Sequence, residues 1–186
     1  DQIEAGSYMV AAAATGGDVL VKNVTPKHLE PITEKLRRAG VEVEEFDDAV
    51  RVRRTGDILP LKINTMPHPG FPTDAQAIFM AMLSLANGVS VLEENIFENR
   101  YRHVDALVKM GAKIHVSGRI AVVTGVRSLS GASVAATDLR GGAAMVLAGL
   151  GAQGKTEVRQ ISHIDRGYES IETVLQGVGA RITRVE

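Results

Sequence analysis

Ala77-Ile78-Phe79-Met80-Ala81-Met82-Leu83 runs for nearly two helical turns without a polar side chain. A helix with no polar face is a buried helix. Two other stretches have the same character, Tyr8-Met9-Val10-Ala11-Ala12-Ala13-Ala14 and Ala143-Ala144-Met145-Val146-Leu147-Ala148. Their many Ala residues permit close approach. The pattern predicts three short helices packed around a common axis, over Ser7–Thr15, Ala75–Ala86 and Gly142–Leu150.

Each of these stretches opens the same sequence of features. A Gly follows, then a β segment (Val19–Asn23, Ser90–Glu94, Thr156–Gln160), then an amphipathic helix (His28–Ala39, Tyr101–Met110, Tyr168–Val178). In the first amphipathic helix Leu29, Ile32 and Leu36 alternate at helical spacing with Glu34, Lys35, Arg37 and Arg38, so one face is apolar and the other solvated. A second Gly then ends the helix, at Gly40, Gly111 and Gly179, where a left-handed residue closes the last turn. These glycines recur after 71 and then 68 residues, and the earlier set, Gly17, Gly88 and Gly154, after 71 and 66. Such agreement at two landmarks identifies an internal repeat.

The β segments complete the unit. Val41–Phe46 and Ala49–Arg53 flank Asp47-Asp48, and Lys113–Val116 and Ile120–Thr124 flank Ser117-Gly118-Arg119, both hairpins by composition. Leu61–Asn64 and Ala132–Ala136 read as strands leading into the second and third units, and Arg181–Val185 as a strand in the third. The unit is βαβαββ, with boundaries at about 1–56, 57–126 and 127–186 in a single domain. Unit one lacks its leading strand and unit three its closing strand. Sequence outside this chain is expected to supply them, and the opening at Asp1 without Met reads as an excised piece.

Composition narrows the classes. The 186 residues are 45% apolar and 23% charged, ordinary for a folded globular domain and unlike a disordered one. A net charge of −1 advertises neither nucleic acid nor an anionic membrane as partner. No run of 18 apolar residues suggests a membrane span, and no export signal is visible. The absence of Cys excludes disulfides, thiolate metal sites and Cys nucleophiles within the chain. The His residues lack ligand spacing, so no metal is expected. Gly149-Leu150-Gly151-Ala152-Gln153-Gly154 fits a dinucleotide motif but follows a helix and precedes a strand, the wrong order, and reads as a helix-ending turn. Asn23-Val24-Thr25 fits a glycosylation acceptor without the export signal that would make it one. Met80, Met82 and Met145 read as core.

Three aspartates precede the buried helices: Asp1, Asp74 and Asp138, at 16, 14 and 16 residues before the following Gly. Thr73 and Thr137 precede the last two. Helix capping explains any one of them. Three parallel helices around one axis would instead bring several carboxylates and helix N-termini to one end of the domain. Such a face could hold a general base and bind anions. Arg100, Arg140 and Arg166 lie in the turns near that end, and guanidinium groups bind phosphate and carboxylate in bidentate fashion.

At Phe71-Pro72-Thr73-Asp74-Ala75-Gln76-Ala77, Ile96-Phe97-Glu98-Asn99-Arg100, Ala136-Thr137-Asp138-Leu139-Arg140 and His163-Ile164-Asp165-Arg166-Gly167-Tyr168-Glu169, four motifs in order, the chain resembles the enolpyruvyl transferase family, in the form that acts on UDP-N-acetylglucosamine. The resemblance covers essentially the whole chain. It implies an α/β fold, an inside-out α/β barrel of three βαβαββ repeats with buried helices inside and sheets outside. It implies transfer of the enolpyruvyl group of phosphoenolpyruvate to the sugar 3-hydroxyl with release of phosphate, without a cofactor. That reaction opens peptidoglycan synthesis in the cytoplasm, and so serves cell wall biogenesis, cell shape, the cell cycle and cell division.

By the same resemblance Asp74 takes the proton of the 3-hydroxyl and Asp138 is the second carboxylate of the site. Ile96 holds the nucleotide-sugar through its backbone. Arg140, Arg166 and Arg100 clamp the phosphate and carboxylate of phosphoenolpyruvate, and Asp1 has a structural or supporting part. The family has a second domain that carries a Lys and, on a mobile loop, a proton-donating Cys. Neither is in this chain, which is expected to be inactive alone. The sister transferase acting on shikimate 3-phosphate and a non-catalytic module of the same fold are the alternatives; His163-Ile164-Asp165-Arg166-Gly167-Tyr168-Glu169 favours the nucleotide-sugar enzyme.

Overall fold

Asp1 caps the first buried helix, its carboxylate accepting from the amides of Ile3 and Glu4, and the chain then runs through α1 (Gln2–Thr15). The structure, a computed structural model, describes residues 1–185. After α1 come β1 (Asp18–Lys22), α2 (Glu30–Arg38) and the hairpin β2 (Glu42–Glu45) and β3 (Ala49–Arg53). The second unit is β4 (Lys62–Asn64), α3 (Gln76–Leu83), β5 (Val89–Glu93), α4 (Val104–Lys109), β6 (Lys113–Ser117) and β7 (Ile120–Thr124). The third is β8 (Ser133–Ala135), α5 (Leu139–Gly151), β9 (Glu157–Arg159), α6 (Ser162–Asp165) and α7 (Ile171–Gly177).

The three apolar helices α1, α3 and α5 are buried as their composition demands, and each packs on the other two. Met9, Phe79, Met80, Met82 and Ala144 have no exposed surface. The helices run in the same direction. At one end a carboxylate just before α3 reaches a guanidinium in the first turn of α5, and the turn before α3 also touches α1. At the other end the Gly151 backbone of α5 lies against Leu85, beyond α3, and the Ala14 carbonyl of α1.

The complete unit is the second. Its sheet has the order β4-β5-β7-β6, with β4 parallel to β5 and the β6–β7 hairpin antiparallel. The first unit shows the same plan without the parallel strand, in the order β1-β3-β2. The third shows only the parallel pair β8–β9. Arg181–Val185 is not a strand. A strand exists through the ladder its neighbour provides, and among the described residues this segment has no such neighbour. It is tied by side chains instead, with Arg184 bridging Asp165 and Glu172.

The three amphipathic helices end alike. Gly40, Gly111 and Gly179 have φ of 82°, 94° and 95°, and their amides donate to Arg37, Val108 and Gln176. The next residues, Val41, Ala112 and Ala180, donate to the carbonyls of Leu36, Leu107 and Leu175. This double bond pattern is the Schellman motif, and all three Leu are buried. At the earlier landmark the left-handed glycine of the first unit is Gly16 (φ 74°), not Gly17, because α1 ends at Thr15. The amphipathic helices are also shorter than their periodicity suggests. Pro26–Leu29 is a 3₁₀ turn before α2, and Tyr101–His103 and Tyr168–Ser170 are turns before α4 and α7. Among the described residues no helix is long and apolar enough to cross a membrane.

Candidate active site

Asp1 and Asp138 are helix caps in the structure, and Asp74 is not. Asp138 has extended backbone and accepts the Gly141 amide at 2.8 Å, closing the first turn of α5. Asp74 sits in a 3₁₀ turn, Thr73–Ala75, before α3, and its carboxylate caps no amide among the described residues. Its two oxygens point instead to two guanidinium groups. Arg100 Nη2 donates to Oδ1 at 2.7 Å and Arg140 Nη2 to Oδ2 at 3.0 Å.

Three separate segments therefore meet at one carboxylate. Arg140 follows the Asp138 cap by two residues, so Asp74 and Asp138 share the N-terminal end of the helix cluster, as the parallel helices require. Arg140 is the most enclosed of the trio, with 16% of its side chain exposed against 30% for Arg100 and 38% for Asp74. Phe71 is buried with its ring edge on Phe79 of α3, centroids 5.0 Å apart, which fixes the approach to Asp74. Asn99, in the left-handed conformation Asn tolerates, turns the chain just before Arg100, whose guanidinium covers the Phe97 ring.

Arg166 is not brought into this cluster. Its guanidinium meets His163 Nδ1 at 3.2 Å and is exposed. The neighbouring Gly167 does pack on Leu139, beside Arg140, so the Arg166 turn borders the same helix end. Ile96 lies in the loop after β5, and its amide donates to Glu94 at 2.9 Å. Its carbonyl accepts no hydrogen bond from the described residues.

Asp138 titrates below the usual carboxylate range. Burial works against ionisation there, but the Gly141 amide, the Thr137 hydroxyl and the nearby Arg100 charge outweigh it. Beside Asp138 lies His103, 2% exposed, its β-carbon and the capping carboxylate both crowding the space where Gly141 lacks a side chain. Burial pushes His103 down to about 4, against the pull of Asp138, so it is neutral at physiological pH. Gln76 is equally enclosed, at 1% exposed, and neither its amide oxygen nor its nitrogen is hydrogen-bonded among the described residues; His103 Nε2 is in the same state.

Glu94, Gln76 and His103 were not singled out from the sequence. Glu94 had a legible signal: it continues the period-2 phase of the buried Ser90 and Leu92 and so turns inward at the strand end. Gln76 and His103 had none, since their burial depends on how α3, α4 and α5 meet.

The family model described as EPSP synthase (3-phosphoshikimate 1-carboxyvinyltransferase) matches residues 1–175. UDP-N-acetylglucosamine 1-carboxyvinyltransferase 3 of Caldanaerobacter subterraneus subsp. tengcongensis is 61% identical over 185 residues, covering this whole chain and 44% of the relative. A protein of the same name from Desulfofundulus thermocisternus is 59% identical over 184 residues, covering 99% of this chain and 76% of the relative. Among solved structures, the enolpyruvyl transferase NikO from Streptomyces tendae matches with a TM-score of 0.88 at 25% identity, over 97% of this chain and 43% of that one. The chain thus spans about half the length of most curated relatives it matches.

Proposed function

The chain belongs to the enolpyruvyl transferase family of EPSP synthase and UDP-N-acetylglucosamine 1-carboxyvinyltransferase, and from that premise we propose that it is one domain of an enzyme of the latter kind. The reaction is transfer of the enolpyruvyl group of phosphoenolpyruvate to the 3-hydroxyl of UDP-N-acetylglucosamine. The hydroxyl oxygen bonds to C2 of phosphoenolpyruvate as its proton leaves, and C3 gains a proton. The tetrahedral intermediate then loses a C3 proton and inorganic phosphate, leaving an enol ether. No cofactor takes part, and the step belongs to cytoplasmic peptidoglycan synthesis, hence to cell wall biogenesis and cell division.

The observation that carries this reading is the Asp74 carboxylate between Arg100 and Arg140. Both oxygens of that carboxylate already accept charged hydrogen bonds, so neither is open to a substrate hydroxyl. Phosphoenolpyruvate brings a phosphate and a carboxylate that compete for the same donors. Their arrival draws the guanidiniums off and leaves the Asp74 oxygens open to accept the hydroxyl proton, so the carboxylate is available only when the second substrate is bound. Arg100 and Arg140 then stabilise the charge that develops as phosphate leaves. Arg166, at the border of the site, joins the clamp when an anion occupies it. Asp138, ionised and capping α5, is the second carboxylate and shares the proton traffic. The Ile96 carbonyl is the backbone group left to receive a donor from the nucleotide-sugar.

We read the architecture as an inside-out α/β barrel of three repeats, with its missing strands and the second half of the active-site cleft contributed by the remainder of the longer protein. The coverage of the relatives and the outer edge of β1, which no strand among the described residues covers, support that reading. Alone, the chain is expected not to turn over.

The test is phosphate release by the full-length protein, with UDP-N-acetylglucosamine and shikimate 3-phosphate offered in turn. Turnover is expected with the first acceptor only. Asp74→Ala is expected to lower kcat by roughly 10²–10⁴, the range of a general base, with the thermal midpoint unchanged. Turnover with shikimate 3-phosphate alone selects the sister activity. Unchanged kcat in Asp74→Ala removes the assigned base.

A further inference from the structure

Glu94 is the one buried carboxylate side chain among the described residues, 1% exposed. It accepts four hydrogen bonds. Oε2 takes the Thr73 hydroxyl at 2.9 Å. Oε1 takes the Thr65 hydroxyl at 2.8 Å, the Ile96 amide at 2.9 Å and the Phe97 amide at 3.2 Å. The Thr65 hydroxyl in turn accepts the Asn95 amide at 2.8 Å.

These partners belong to the two segments that form the candidate site. Thr73 immediately precedes Asp74. Ile96 and Phe97 open the turn that ends at Arg100. Resting on the roles proposed above for Asp74 and Ile96, we propose that Glu94 is a positioning residue that locks the base-bearing segment to the nucleotide-sugar-binding segment.

Two ties join these segments, and they have different fates. The outer one is the Asp74–Arg100 pair, at 2.7 Å and partly exposed. An anion that takes Arg100 breaks it. The inner one, through Glu94, is buried and is not made by a group that an anion would take, so it persists. The lock therefore matters most in the loaded site, when the outer tie is gone. An enclosed carboxylate suits the task, because charge-assisted bonds to amides are short and about twice as strong as neutral ones. Misplacing a reacting group by about 1 Å costs on the order of 10²-fold in rate.

The experiment uses the full-length protein. Thr73→Val removes only the bond on the Asp74 side, and it is expected to lower kcat by about tenfold or more while the KM for the nucleotide-sugar moves less than about twofold. Thr73→Ser, which keeps the hydroxyl, restores kcat. Glu94→Ala frees both segments and is expected to lower kcat and raise that KM together; should it fail to fold, the Thr73 pair carries the test. Wild-type kcat in Thr73→Val, with Asp74→Ala inactive in the same assay, overturns the lock. An active Asp74→Ala overturns the base role instead, so the two failures are told apart.

Discussion

Two ionisable side chains at the site depart from the behaviour of exposed groups, each for its own reason. Asp138 is stabilised as an anion by the helix it caps, and His103 is kept neutral by burial. His103 gives the clearest prediction. Its folded pKa of about 4 lies below the unfolded value of about 6.5. Between those values the unfolded chain binds a proton that the folded chain refuses, so stability rises with pH across the window. The contribution is complete above pH 6.5 and is lost as pH falls to 4, a change of about 3 kcal/mol. His103→Gln is expected to flatten the dependence of the thermal midpoint on pH between 4 and 6.5, and an unchanged slope removes this account. Asp74, Arg100 and Arg140 were each legible from sequence as residues of one face, because parallel apolar helices must bring their starts together. That Asp74 departs from the capping role of its two counterparts was not legible, since the ion pairs that divert it come from segments 26 and 66 residues away.

Hydrophobic periodicity and glycine position carried most of the secondary structure. The buried helices and both hairpins lie where apolar runs and turn residues put them, because those signals are local. Failures occurred where a neighbour decides the outcome. Arg181–Val185 alternates as a strand should but has no ladder to join, and α6 sits in what reads as a turn because Ile164 packs into the notch left by Gly142 of α5. Two glycines separate backbone conformation from backbone proximity. At Gly111 a β-carbon would meet nothing within 4 Å, so Gly111→Ala carries only the left-handed penalty of about 1–2 kcal/mol. At Gly125 it would lie 1.6 Å from the Ala86 carbonyl oxygen, where β7 leaves the sheet over the end of α3. Gly125→Ala must move backbone, and its cost is expected to exceed that of Gly111→Ala. Comparing the two thermal midpoints in the full-length protein checks the ranking; equal losses would contradict it.

At the scale of the molecule, the repeat was legible because its landmarks recur at nearly constant intervals. Its completeness was less so. The third unit has neither strand of its hairpin, where only one was expected to be missing, because Arg181–Val185 does not pair. Between β1 and the third unit lies a cavity of about 950 Å³, lined by Tyr8, Val19, Val21, Leu150, Val174 and Val178 among others. Among the described residues the edge of β1 away from β3 has no ladder partner. The β1 amides offer a clock. In heavy water, the β1 protons turned toward β3 should exchange slowly and the outward ones at nearly the rate of an unfolded peptide, as long as the 186-residue chain is on its own. Protection of the outward set in the longer protein, read residue by residue, would time the arrival of the covering strand and report whether the two halves separate during turnover.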